Sequence, residues 1–189
     1  MIQDQTGRLS HLSEVLLDMT GIQSIERSDS ISLAELADEV CCDLASIADQ
    51  KEVALIQEEG DCTVTGSYLL LYRAVYNLVE NAIKYNHPGG KVTVIISQKK
   101  AVPDPFAHSQ STDCAFVEVT DTGIGISPEF QEKIFDPFFR VDKSRSRAMG
   151  GAGLGLALVN EIARQHGGQV KVLTSSKKGS TIALILPLS

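Results

Sequence analysis

The sequence predicts an α/β domain: a two-layer sandwich with helices on one face of a mixed, mainly antiparallel sheet, preceded by an N-terminal helix. Three observations carry this. Runs with helical apolar spacing alternate with short β-rich runs along the 189 residues. The strand candidates follow one another across short connections, which favours antiparallel neighbours. Apolar residues make up 43% and charged residues 22%, the balance of a globular chain rather than a disordered one. This length suits one domain with a real core, or one domain plus a short appendage.

Residues 2–20 read as a helix. Ile2, Leu9, Leu12, Leu16 and Met19 follow a three-four spacing with Gln5 in the polar gap. Such a narrow seam suits a helical pair or bundle, or a short helix docked on its own domain. Gly21 to Ser30 reads as a polar connector. Ser32 with Glu35 three residues on is a capping-box pattern, and helix follows to about Gln50. Val53–Gln57 and Cys62–Thr65 are short strand candidates on either side of Glu59-Gly60-Asp61. A long helix is expected from Ser67 to Asn86, ended by His87-Pro88-Gly89-Gly90. Lys91–Gln98 and Ala115–Thr120 are strands, with the polar, proline-bearing residues 101–113 as a loop long for a hairpin. Pro128 to Phe135 is expected to be a short helix, and residues 136–152 irregular. Leu154–His166 reads as a helix stopped by Gly167-Gly168, with Val170–Thr174 and Thr181–Leu186 as the last two strands.

The net charge of −7 argues against a general nucleic-acid binder, but the charge is uneven. Residues 1–66 hold 14 acids and 3 bases, and residues 67–189 hold 10 acids and 14 bases. The uneven charge fits a solvated acidic helix followed by an ordinary domain, or a local basic site for a small polyanion. No apolar run reaches membrane-spanning length and the opening residues follow no signal-peptide pattern, so no membrane segment is expected in this chain. Cys41, Cys42, Cys62 and Cys114 fit no metal-binding spacing and read as free thiols in a reducing cytosol. No Walker A sequence is present, so a nucleotide must be held another way.

On the long helix, Leu71, Ala74, Val75, Leu78, Val79 and Ala82 form a broad apolar face, and Arg73, Asn77, Glu80, Asn81 and Lys84 the opposite one. Asn77 and Asn81 lie one turn apart, and asparagine is a mediocre helix former. The face is either simply solvated or built for metal and phosphate, since an amide oxygen is a hard neutral ligand suited to Mg²⁺. Asp121-Thr122-Gly123-Ile124-Gly125-Ile126 ends a strand in which Ala115, Val117 and Val119 share a face, so Asp121 is expected on the core side. A carboxylate there needs donors, such as an adenine amine, although Asp-x-Gly is also ordinary turn chemistry. Gly151-Ala152-Gly153-Leu154-Gly155-Leu156 opens a helix and exposes backbone N–H groups to an anion. Arg140, Lys143, Arg145 and Arg147 just upstream form either a solvated basic loop or a lid over phosphates.

The order and spacing of these elements are specific. Asn77-Leu78-Val79-Glu80-Asn81-Ala82-Ile83-Lys84-Tyr85 resembles the N box of sensor histidine kinases, and Asp121-Thr122-Gly123-Ile124-Gly125 their G1 box. Phe135-Asp136-Pro137-Phe138-Phe139-Arg140 resembles the F box, Gly151 through Leu156 the G2 box, and Gly179-Ser180-Thr181 the last glycine box. The resemblance spans about residues 67–181 and implies the Bergerat ATP-binding fold shared with gyrase, Hsp90 and MutL. It implies that Asn81 holds Mg²⁺, that Asn77 and Lys84 contact phosphates, and that Tyr85 lines the nucleotide pocket. Asp121 would bind the adenine amine, with Gly123, Gly125 and Ile126 around the base. Gly151, Gly153, Leu154, Gly155 and Leu156 would form the phosphate cradle. Phe138 and Phe139 would anchor the lid, Arg140 and Lys143 would reach the phosphates, and Thr181 would touch the adenine region. Ala152 departs from the Thr or Ser of many members, which removes one possible hydroxyl contact.

The implied function is that of a catalytic domain transferring the γ-phosphoryl group of ATP, with ADP as product, to a histidine on a dimerisation domain, with a response regulator downstream. None of His11, His87, His108 and His166 has the acceptor setting of the family, so the acceptor is expected outside this chain and self-labelling is not expected. Residues 1–25 would be the tail of the dimerisation helix with its connector and residues 26–189 the catalytic domain, a cytoplasmic fragment that is monomeric or weakly dimeric. The hydrolytic ATPases of this fold place a glutamate base where this sequence has Asn77, and an amide accepts no proton. Asn77 and the heptad of residues 2–20 thus count against the alternative, a hydrolytic ATPase or an anti-sigma-type serine kinase of the same fold, and a non-catalytic nucleotide-responsive module is a third reading.

Overall fold

A computed structural model describes residues 25–100, 113–141 and 153–188. The expected leading helix, most of the loop at 101–113 and the basic segment that carries Lys143, Gly151 and Ala152 lie outside the described residues.

The first element is a strand, β1 (Asp29–Ser32), which pairs antiparallel with β3 (Thr63–Gly66) in a two-stranded sheet. The sequence reading placed Asp29 and Ser30 in the connector. Only Ile31 of the four is buried, and so short a segment shows no alternation. Helix α1 (Leu33–Gln50) begins as expected, with the Ser32 hydroxyl accepting from the Glu35 N–H at 3.2 Å. Asp61 completes the cap from the far side of β1, its carboxylate accepting from Ala34 N at 3.1 Å and from the Ser32 hydroxyl at 3.1 Å. Buried Leu33, Leu36, Ala37, Val40, Leu44 and Ala48 give the helix one apolar face.

Strand β2 (Ala54–Gln57) lies at one end of a five-stranded sheet ordered β2-β4-β5-β7-β6. β4 (Lys91–Lys100) runs parallel to β2, and β5 (Asp113–Asp121), β7 (Gly179–Pro187) and β6 (Gln169–Ser176) complete the sheet by antiparallel pairing. The mixed, mainly antiparallel sheet is the one expected. Helix α2 (Tyr68–Lys84) packs against both α1 and the last helix, α3 (Gly155–Gln165). Ala115, Val117 and Val119 of β5 alternate into the core with Val92, Val94 and Ile96 of β4, against the apolar faces of all three helices. Cys114, Phe116, Ala183 and Ile185 form a small separate cluster on the opposite face.

The stretch from Pro128 to Phe135 is not one helix but two 3₁₀ turns, Pro128–Phe130 and Lys133–Phe135. Phe135 alone among the turn residues is buried, so the segment has no apolar stripe to sustain an α-helix. All four cysteines are free thiols, and burial together with nearby Asp38 pushes the Cys41 thiol up to about 11.

Candidate nucleotide site

The polar face of α2 and the N-terminus of α3 meet at one place. The Asn77 and Asn81 amide nitrogens each donate to the carbonyl four residues earlier, Arg73 O and Asn77 O, at 2.8 Å. Each side chain is thereby fixed on its own helix with its Oδ1 left over as an acceptor. A Cβ placed on Gly155 would sit 2.6 Å from Asn77 Oδ1 and 3.7 Å from Asn81 Nδ2, so α3 begins directly against the two amides. Leu154 caps α3 and has no side-chain acceptor to offer its first-turn N–H groups, donors of the kind that suit an anion at a helix start. Leu154 itself is buried, and Leu156 packs against the core, so both hold the helix start in place.

Two cations stand beside this junction. Lys84, one turn beyond Asn81, is half-buried, with its ammonium 5.7 Å from the ring centre of exposed Tyr85. Desolvation lowers its pKa from the ordinary lysine value, with Arg140 and Lys51 pushing the same way and Glu80 opposing. The Lys84 and Arg140 charges therefore repel one another, and Glu80 opposes this in part.

The segment bearing Arg140 is tied to the start of α3. Phe138 donates its N–H to Gly153 O at 2.9 Å, and Gly153, with φ of +72°, leaves no room for a Cβ beside Phe139 O. Phe138 has φ of +64° and is exposed, whereas the Phe139 ring packs on Phe130 with centroids 5.6 Å apart.

Asp121 stands at the end of β5. Its Oδ1 accepts from Gly123 N at 2.7 Å and its carboxylate also accepts from the Ser180 N–H. Burial nevertheless pushes the carboxyl above the usual aspartate value. The glycines around it answer to the protein rather than to open space. A Cβ on Gly123 would lie 2.4 Å from Tyr85 O, and one on Gly125 would lie 1.8 Å from Ser176 O. Gly179 is equally tight against Asp121 O, at 1.9 Å. Ile126 donates its N–H to the Ser175 hydroxyl at 2.7 Å, and the Thr181 and Thr120 hydroxyls share a hydrogen bond at 3.0 Å beside Asp121.

Contacts join Asn77 and Asn81 to Gly155, Gly153 to Phe138, Phe139 and Arg140, Lys84 to Tyr85, Tyr85 to Gly123 and Gly123 to Asp121, while Gly125 and Ile126 meet Ser176 and Ser175 and Thr181 meets Thr120; Lys143 and Gly151 lie outside the described residues. Sequence reasoning missed the polar side chains that brace the Asp121 turn, Asn86 and Ser175, because each looked like ordinary turn or strand chemistry. Among the described residues no group of three or more His, Cys, Asp or Glu side chains is placed to hold a metal. The side-chain amide oxygen of Asn81 is a hard neutral donor whose chemistry fits Mg²⁺ as one ligand.

The start of α3, the paired amides, the two neighbouring cations and the half-buried Asp121 carboxylate are of the chemistry that suits a nucleoside triphosphate. The chain belongs to the family of histidine kinase-, DNA gyrase B- and HSP90-like ATPases, whose model matches residues 66–189. It is 34% identical over 188 residues to the sensor-like histidine kinase SenX3 of Mycobacterium tuberculosis, covering 97% of this chain and 43% of the relative. It is 35% identical to the sensor histidine kinase RppB of Synechocystis, covering 99% of this chain and 40% of that one. The chain therefore spans less than half the length of these curated relatives.

Among solved structures, the mycobacterial sensor histidine kinase MprB superposes with a TM-score of 0.65 at 28% identity, covering 85% of this chain and 97% of that one. Full-length ShkA, solved in complex with AMPPNP, superposes with a TM-score of 0.78 at 23% identity, a likeness of fold, covering 98% of this chain and 37% of that one. The chain is an ATP-binding domain of this family, similar over nearly its whole length to parts of sensor histidine kinases. Among the described residues no helix is long and apolar enough to cross a membrane.

Proposed function

We propose that this domain transfers the γ-phosphoryl group of ATP to a histidine imidazole on a separate dimerisation domain of the parent kinase. The bond from the γ-phosphorus to the β–γ bridging oxygen breaks, a bond from phosphorus to the imidazole nitrogen forms, and ADP leaves. The contact of the Asn77 and Asn81 amides with the start of α3, beside Lys84 and Arg140, carries this reading. Phosphoryl transfer of this kind needs positioning and charge neutralisation rather than covalent help.

Each residue has a part in that arrangement. The N–H groups from Gly153 to Leu156, with those of the expected Gly151, cradle the phosphates, and Lys84 and Arg140 neutralise them together with Lys143. Asn81 holds Mg²⁺ through its Oδ1, and Mg²⁺ when bound supplies further neutralisation of the triphosphate. Asn77 orients the phosphates but accepts no proton, so water is not activated and hydrolysis is slow. Asp121 accepts from the adenine amine, Tyr85, Ile126 and Thr181 line the base region, and Phe138 and Phe139 anchor the lid. In this reading residues 1–25 are the tail of the dimerisation helix, residues 26–189 are the catalytic domain, the fragment is cytoplasmic and monomeric or weakly dimeric, and a response regulator receives the phosphoryl group.

The test is to incubate the chain with [γ-³²P]ATP, with and without a separate dimerisation domain. Acid-labile, base-stable label on the added domain and none on the chain is the expected result. Release of several phosphates per second without an acceptor would instead favour a hydrolytic ATPase.

A further inference from the structure

We propose that Asn86 and Ser175, which lie outside the motifs, are positioning residues that hold the Asp121 turn for discrimination of adenine from other bases. This rests on the reading of Asp121 as the group that accepts from the adenine amine. The turn from Asp121 to Ile126 is braced at both ends by side-chain hydrogen bonds.

At its start, Thr122 is locked to the end of α2. Its hydroxyl accepts from Lys91 N at 2.9 Å and donates to Asn86 Oδ1 at 3.2 Å, and Asn86 Nδ2 donates to Lys91 O at 3.0 Å. Asn86 cannot drift from this position. Its Oδ1 also accepts from His87 N at 3.0 Å, and Gly90 lies so near that a Cβ there would be 2.1 Å from that oxygen. Because Asn86 is two residues beyond Lys84, the same side chain ties the base end of the site to the phosphate face of α2.

At the far end, Ile126 N donates to the Ser175 hydroxyl at 2.7 Å. That hydroxyl, having accepted there, is free to donate to Ser180 Oγ at 2.9 Å. Ser180 is 4% exposed, and its own N–H donates to the Asp121 carboxylate. Ile126, Ser175, Ser180 and Asp121 therefore form one continuous polar chain that returns to the carboxylate it supports. Between the two braces, Ile124 N donates to Tyr85 O at 3.3 Å, and Gly123 is pressed against the same carbonyl.

The carboxylate is an acceptor only. It favours the exocyclic amine of adenine and meets the carbonyl oxygen of guanine as a second acceptor. Small changes in its position therefore change base choice, whereas phosphate contacts are common to ATP and GTP.

The experiment measures equilibrium dissociation constants of ATP and GTP for the wild-type chain and for Asn86→Ala, Ser175→Ala and Ser175→Thr, with thermal unfolding to confirm folding. Asn86→Ala and Ser175→Ala are expected to weaken ATP about five-fold while leaving GTP nearly unchanged, the worth of one ordinary hydrogen bond. Ser175→Thr keeps the hydroxyl and should restore the preference. Equal weakening of ATP and GTP in folded variants would make the braces merely structural and overturn the proposal, as would an unaltered ATP constant. If the wild type shows no preference for ATP over GTP, it is the reading of Asp121 that fails.

Discussion

Substituting Gly155 by alanine separates the site from the fold. The residue opens α3 without a left-handed φ, so alanine is conformationally allowed there. Alanine is the better helix former by up to about 1 kcal/mol. Its Cβ, however, would lie 2.6 Å from Asn77 Oδ1, where ordinary contact begins at 3.4 Å. Either the amide or the helix start must move by roughly 0.8 Å, a displacement of the size that costs up to about 100-fold in a positioned site. Moving the amide breaks its 2.8 Å bond to Arg73 O, a loss of about 1 kcal/mol that offsets the propensity gain. Urea unfolding should therefore stay within about 1 kcal/mol of wild type, while titration calorimetry shows ATP binding weakened by at least about ten-fold. Unchanged ATP affinity in the folded variant would refute the argument that the contact between Asn77 and the α3 N-terminus forms the phosphate site.

Other substitutions probe the remaining contacts. Gly125→Ala combines a φ of +71° with a Cβ 1.8 Å from Ser176 O, so urea unfolding should show a loss of more than about 2 kcal/mol. Lys84→Gln should weaken ATP binding in calorimetry by about ten-fold but leave adenosine binding within about two-fold, since only the phosphates meet the cation. His166 accepts from Ser67 N at 3.1 Å through Nε2, which holds the ring neutral. Burial, with Arg27 as a lesser cause, lowers its pKa below the ordinary 6.5, against the pull of Ile162 O. A depressed folded pKa means that the stability is present above pH 6.5 and lost as pH falls through the folded value. Urea midpoints should thus drop between pH 7.5 and 5.5 in the wild type, and the drop should shrink in His166→Gln.

Period and spacing made much of this legible. The stacked amides of Asn77 and Asn81 and the apolar face opposite them follow from one helical period. The capping of α1 by Ser32 likewise needs only residues close in sequence. What stayed hidden depends on partners far along the chain. Asp61 joins the cap of α1 from 27 residues beyond Ala34. Ser175 meets Ile126 across 49 residues, and neither has a local signature. Strand β1 is too short to show a pattern, and exists because β3 offers it a pairing edge. The glycines of the Asp121 turn invited a reading in which backbone approaches a base. The same glycines are also pressed against the α2 end and the β6–β7 hairpin, which no pattern within the motif displays.

The most direct test of the account is titration calorimetry of ATP into the wild-type chain and Asn81→Ala, each with and without Mg²⁺. The wild type should bind one equivalent of ATP, more tightly with Mg²⁺, and Asn81→Ala should lose most of that Mg²⁺-dependent gain while remaining folded. A Mg²⁺ gain that survives unchanged in Asn81→Ala, or a wild-type chain that binds no ATP, would contradict a nucleotide site between the amide face of α2 and the start of α3.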